Sequence, residues 1–236
     1  MTKNALLRGC AALSIWAGSA LVMQAAPIIF TLESSSQITS STTGVGNYIQ
    51  YTDASGFVVT ATAWYAPDAA GALTAAKLSR YSGGLGVCSE TDRCSSPNHA
   101  VDNNGGKDFV LFTFSGYADP YKMTIGWSQT DADVQYWVGS LSNPSLQGLL
   151  IGNLASQGFT NFDVNEGSGN RTFDLLGGAG FSLLVSGQLD ESNDYFKIQK
   201  LKLIPTDPPQ EAPEPATIGL VGASMLGLVW ARRKRR

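Results

Sequence analysis

The chain has 236 residues, of which nineteen are acidic and sixteen basic, and 43% are hydrophobic. Two of the basic residues lie in the first eight positions and five in the last five. The stretch between them therefore sets nine basic residues against all nineteen acids, a net charge of −10. Such a balance excludes nucleic acid as a natural partner and disfavours general binding to anionic lipid, and about 190 residues are enough for one domain with a sizeable core.

The N-terminus has the pattern of a secretory signal peptide. Lys3 and Arg8 are followed by an apolar stretch Ala11–Met23 and the small pair Ala25-Ala26, which places cleavage near residue 26 and the mature domain over 27–204. Leu7-Arg8-Gly9-Cys10 precedes the apolar stretch instead of following it, so it does not act as a lipoprotein box.

Downstream the pattern is β. Phe57–Tyr65 is rich in β-branched and aromatic residues, and Phe109–Phe114 is an apolar run suited to a strand buried on both faces. Tyr121–Trp127, Val134–Val138, Phe159–Val164, Arg171–Leu176, Phe181–Ser186 and Tyr195–Ile204 continue the series. Asn103–Gly106, Ala118-Asp119-Pro120, Ser142-Asn143-Pro144, Glu166–Gly169 and Gly177-Gly178 read as turns. Asp68–Lys77 and Pro144–Gln157 are the two short helix candidates. The expected fold is a single all-β domain, a β-sandwich or jelly roll.

Cys88 and Cys94 are the cysteines left once Cys10 departs with the leader. Two close thiols in an oxidising compartment read as a disulfide, and with a single histidine in the chain a zinc site has too few ligands. Asp102, Asn103 and Asp108, with Asp131 or Asp133, offer hard oxygens to calcium, although their spacing is not that of an EF-hand loop; capping of turns is the other role open to them. No cofactor besides calcium is expected. His99 has no paired nucleophile and no Gly-x-Ser-x-Gly elbow occurs, so catalysis is not expected. Trp64, Tyr65, Trp127, Tyr136 and Trp137 can serve a core or a sugar-stacking face. Carboxylates are numerous, but no pair is marked out for glycoside hydrolysis.

After Ile204 the chain turns to Pro and acid over 205–215, an extended tether. Pro213-Glu214-Pro215, the apolar segment 216–231 and the cluster Arg232–Arg236 follow. Sixteen apolar residues at 1.5 Å each span about 24 Å, short of a roughly 30 Å hydrocarbon core. Five cations hold the end on the cytoplasmic side. This tail, 213–236, resembles the PEP-CTERM sorting signal of exosortase-dependent bacterial proteins; an ordinary C-terminal membrane anchor after a Pro-rich linker is the other reading of the same residues. The resemblance implies transient insertion in the inner membrane, cleavage by exosortase, and release to the surface or exopolysaccharide matrix of a Gram-negative bacterium. A second segment, Gly83–Val87 followed by His99–Asn103 and Asp108, resembles a stretch found in a subset of such surface proteins and brings no catalytic activity with it. The expected role is structural or interactional. A carbohydrate-binding module is the alternative, and a secreted glycoside hydrolase a more distant one.

Overall fold

A computed structural model describes residues 25–33, 38–39, 47–89 and 99–209. The signal-peptide expectation for residues 1–24, Cys94, and the tail from residue 210 lie outside the described residues. Among the described residues the architecture is all-β, as expected. Fourteen strands form one continuous sheet in which every strand pair is antiparallel.

That sheet doubles back on itself through β9 (Lys107–Thr130), a strand of 24 residues. Strands this long exceed the usual 3–10 residues, and β9 serves two layers in turn. Its first half lies between β4 (Val58–Ala66) and β13 (Gly180–Gly187). Beyond β13 come β10 (Val134–Gly139) and β11 (Phe159–Asn165); beyond β4 come β3 (Tyr48–Thr52) and β5 (Thr74–Ala75). Its second half lies between β12 (Arg171–Asp174) and β14 (Asp194–Pro205). The far edge of β14 carries β1 (Ile28–Thr31), β7 (Gly84–Cys88) and β8 (Val101–Asp102), followed by β6 (Lys77–Tyr81) and β2 (Ile38–Thr39).

The main core takes residues from both layers. Val59, Ala61, Val110, Phe112, Leu183 and Val185 come from one, and Leu85, Met123, Ile125, Leu201 and Leu203 from the other. Each fully buried Val, Leu, Ile, Phe or Met side chain contributes about 1.5–3 kcal/mol. Phe109 and Leu111 point the opposite way, into a second cluster with Leu73, Leu146, Ile151, Leu154 and Leu184. The run Phe109–Phe114 is thus covered on both faces, as its sequence implies.

Three local expectations are corrected. Ala118-Asp119-Pro120 is not a turn: β9 runs through it. Pro120 is tolerated where the β9–β14 register slips between Lys202 and Leu203, so the missing N–H interrupts no regular ladder. The change of partners comes earlier, between the last β9–β4 pair at Phe114 and the first β9–β14 pair at Ala118, where the β9–β13 register also shifts. Asp68–Lys77 is not helical. The Asp68 carboxylate accepts the Ala70 N–H at 2.8 Å and its carbonyl accepts the Gly71 N–H at 3.1 Å, a turn that competes with helix. Pro144–Gln157 is helical only over Ile151–Gln157, as 3-10 turns closed by Gly158 at φ 75°.

Candidate functional site

At one end of the molecule four loops converge: the residues after β8, the β9–β10 connection, the β11–β12 loop and the β13–β14 loop. They bring together the carboxylates of Asp131, Asp133, Glu191 and Asp194, each offering an oxygen within 4.8 Å of the others.

Asp194 opens β14 and is fully buried. Its carboxylate accepts the N–H of Asp133 at 2.8 Å, the N–H of Gln188 at 2.9 Å and the side-chain amide of Asn103 at 2.5 Å. Asn103 in turn accepts the Asp194 N–H at 2.9 Å and donates to the Gln188 carbonyl at 2.8 Å. This pair ties the loop after β8 to the β13–β14 loop. Asp133 accepts the Gly167 N–H at 2.5 Å, bringing in the β11–β12 loop. Asp131 accepts the N–H of Ala132 at 2.9 Å, and Thr130 before it takes φ 63°, a left-handed conformation rare for a β-branched residue.

Two cations flank the carboxylates. Lys107 is buried and donates to the carbonyls of Asn103 at 3.2 Å and Glu191 at 2.5 Å. Arg171 donates to the Asn165 side chain at 3.0 Å, to the Gly167 carbonyl at 2.9 Å and to the Ala132 carbonyl at 2.7 Å.

Burial pushes the Asp194 carboxyl up to about 6. Its hydrogen bonds pull the other way, and Asp133 and Glu191 push it further up. Burial and the neighbouring carboxylates, Asp133 and Asp131 foremost, also raise Glu191. Burial lowers Lys107, opposed by Asp194, Asp190 and Asp102, and lowers Arg171, opposed by Asp133, Asp131 and Asp194. Carboxylates crowded in this way favour an added hard cation.

Of the residues singled out in the sequence, Asp131 and Asp133 belong to the carboxylate group, and Asn103 bonds directly to one of its members. Asp102 and Asp108 are buried nearby but are not part of it. Asp102 caps its own turn, accepting the Asn104 N–H at 3.1 Å. Nothing local in the sequence marks Glu191 and Asp194. Some sixty residues separate them from Asp131, and the fold alone makes them neighbours.

The Gly83–Val87 and His99–Asn103 stretches lie side by side. The Val87 N–H donates to the Ala100 carbonyl at 3.1 Å, and a Cβ on Gly86 would fall on the His99 carbonyl oxygen. From Gly84 onward the first stretch is a fully buried strand. His99 packs its ring 4.3 Å from that of Tyr81 and 6.3 Å from that of Trp127. Tyr136 and Trp137 are buried, and Trp64, Tyr65 and Trp127 are half-buried, so these five do not form an exposed stacking row. Cys88 is buried at the end of β7.

The acidic pole is a group of crowded carboxylates tied by hydrogen bonds. The tail is more informative. Residues 211–236 match the PEP-CTERM protein-sorting motif. The motif suggests an exosortase-targeted exported protein, and proteins with this signal are generally non-enzymatic surface proteins. The match covers the tail and leaves the β-domain unassigned. No curated protein and no solved structure matches the chain. Among the described residues no helix is long and apolar enough to cross a membrane; the apolar segment 216–231 lies outside them.

Proposed function

We propose that the chain is a non-enzymatic surface or matrix protein of a Gram-negative bacterium, exported by its leader, held briefly in the inner membrane by its tail and released by exosortase near Pro213–Pro215. The sorting-motif match at residues 211–236 carries this reading. The mature domain acts as a structural or interacting component of the exopolysaccharide matrix. Intact mass of the secreted species tests it. The expected species begins near Pro27 and lacks Arg232–Arg236, and deletion of the exosortase leaves an uncut form in the membrane. A secreted species that keeps Arg232–Arg236 overturns the reading. The same spectrum reports the proposed Cys88–Cys94 disulfide as a loss of two hydrogens.

The four-carboxylate group supports a second element of this reading. Calcium held by Asp131, Asp133, Glu191 and Asp194 braces the loops of the acidic pole, a structural and not a catalytic role.

A further inference from the structure

The layer made by β3, β4, the first half of β9 and β13 has one face on the main core and one turned away from it. On the second face Phe109, Leu111 and Leu184 lie under the second cluster. Beside them the face is open. Ile49 and Tyr51 of β3 pack on the main core, as do Val59, Ala61, Phe112 and Phe114. The residues that alternate with them therefore point outward: Tyr48 and Gln50 of β3, Thr60, Thr62 and Trp64 of β4, and Thr113 of β9. Register sets Tyr48 opposite Thr62 and runs Gln50, Thr60 and Thr113 in one row.

This open patch is uncharged. In a domain of net charge −10, β3, β4 and the stretch Phe109–Phe114 contain no acid and no base. Asp53, in the turn between β3 and β4, is occupied: its carboxylate accepts the N–H of Ser55 at 3.0 Å and of Phe57 at 2.8 Å. The polar side chains of the patch are also held in place. The Gln50 amide donates to the Thr60 hydroxyl at 3.2 Å, and the Trp64 indole N–H to the Thr62 hydroxyl at 3.0 Å. A threonine hydroxyl that accepts one bond still has a proton to give, and the Gln50 amide keeps its carbonyl oxygen as an acceptor. Tyr48, 46% exposed, stands beside Thr62 at the margin of the patch. From Tyr48 to Thr52 the face runs about 14 Å at 3.4 Å per residue, long enough for more than one sugar ring.

We infer that this face binds a neutral polysaccharide, with Tyr48 stacked on a sugar ring and Gln50, Thr60 and Thr62 bonded to sugar hydroxyls. The inference rests on the reading of the domain as an interacting component of the matrix, and names the surface and the ligand class. The charge pattern selects the occupant. An anionic polymer meets no base on these strands and is repelled by the domain as a whole. A cationic one is drawn to the acidic pole instead. Protein interfaces are anchored by Trp, Tyr and Arg and make little use of Thr, so a face of threonines and one glutamine around a single exposed tyrosine suits a hydroxyl-rich ligand better. Tyrosine offers flat amphipathic area to the apolar side of a sugar ring. Side chains already fixed by their own hydrogen bonds lose little freedom when the ligand arrives.

The test is titration calorimetry of the secreted protein with a neutral mixed-linkage β-glucan and a neutral galactomannan, with polygalacturonate for comparison. The expected result is binding of at least one neutral polymer, equally strong at low salt and in 1 M salt, where the screening length falls to about 3 Å. Tyr48→Ala should weaken it about tenfold, the upper end of what an aromatic contact is worth, while Tyr48→Phe keeps it. Gln50→Ala should weaken it too, and Lys122→Ala, on the other layer, should leave it unchanged. Absence of binding to both neutral polymers overturns the face, while the sorting reading still stands or falls by the intact mass of the same sample. Binding kept in full by Tyr48→Ala and by Gln50→Ala overturns the face and places the sugar elsewhere on the domain. Tighter binding of polygalacturonate, lost in 1 M salt, overturns it as well. Dimerisation abolished by Tyr48→Ala, without sugar binding, overturns it and assigns the face to a second copy of the chain.

Discussion

Lys197 is the clearest case of a residue whose environment sets its chemistry. It is only 5% exposed, with its ammonium 4.5 Å from the Tyr81 ring centroid and 4.3 Å from that of Trp127. Burial pushes it down from 10.5 to about 8, while the two ring faces favour the charged form. Below about pH 8 both folded and unfolded chains carry the proton, and the full cost of burying the charge is present. Between about 8 and 10.5 the unfolded chain holds a proton that the folded chain has lost, so stability rises with pH across this window. A tenfold difference in proton affinity between the two states corresponds to about 1.4 kcal/mol. Chemical denaturation of the secreted protein at pH 7.5, 9 and 10.5 should show a rising midpoint. Lys197→Met, which keeps the stem but not the charge, should flatten the rise. A midpoint that falls from pH 7.5 to 9 in wild type but not in the variant would refute the assignment.

At the scale of elements, β7 shows how glycine lets two segments approach. Gly84 has φ 121°, and a Cβ there would strike the Ile198 carbonyl of β14; at Gly86 it would strike that of His99. Neither obstacle is a flexible side chain, so backbone must move. Gly86→Ala should cost about 1–3 kcal/mol or more, the range for overpacking a tight interior. The substitution is exposed to a simple failure: a melting midpoint within 1 °C of wild type would show that the strands are not held this closely. The same element shows what could be read in advance. The Gly-Leu-Gly-Val and His-Ala-Val-Asp-Asn stretches are visible in the sequence, but their contact is not, because it depends on β14 lying across both. Phe57–Tyr65 and Phe109–Phe114 announce strands through β-branched and aromatic side chains. The continuity of β9 is hidden, since Ala118-Asp119-Pro120 has the composition of a turn and only the slipped register at Lys202 and Leu203 accommodates its proline. Asp131 and Asp133 stand out as a close pair of acids. Glu191 and Asp194 do not, since nothing local distinguishes them from acids that keep a protein soluble.

For the whole molecule, the question is what the acidic pole contributes once the tail is gone. Its loops belong to four separate connections, and their ties are hydrogen bonds that converge on Asp194 and Asp133. Burial raises Asp194 and Glu191, and the neighbouring carboxylates push both further the same way. A divalent cation would convert that repulsion into a brace between the β9–β10 and β13–β14 connections. Binding to the folded state alone stabilises by mass action, by about 2.7 kcal/mol at a hundredfold excess over the dissociation constant. The secreted protein should therefore melt higher in millimolar calcium than in chelator. Asp131→Asn combined with Glu191→Gln should remove most of that increment: the two substitutions take away half of the cluster's formal charge but leave the buried Asp194 hydrogen bonds in place. Magnesium, which demands tighter octahedral geometry, should substitute poorly. An unchanged wild-type midpoint in calcium would leave these acids as hydrogen-bonded ties between loops that hold no ion. A calcium increment retained in full by the double variant would place the ion elsewhere on the domain.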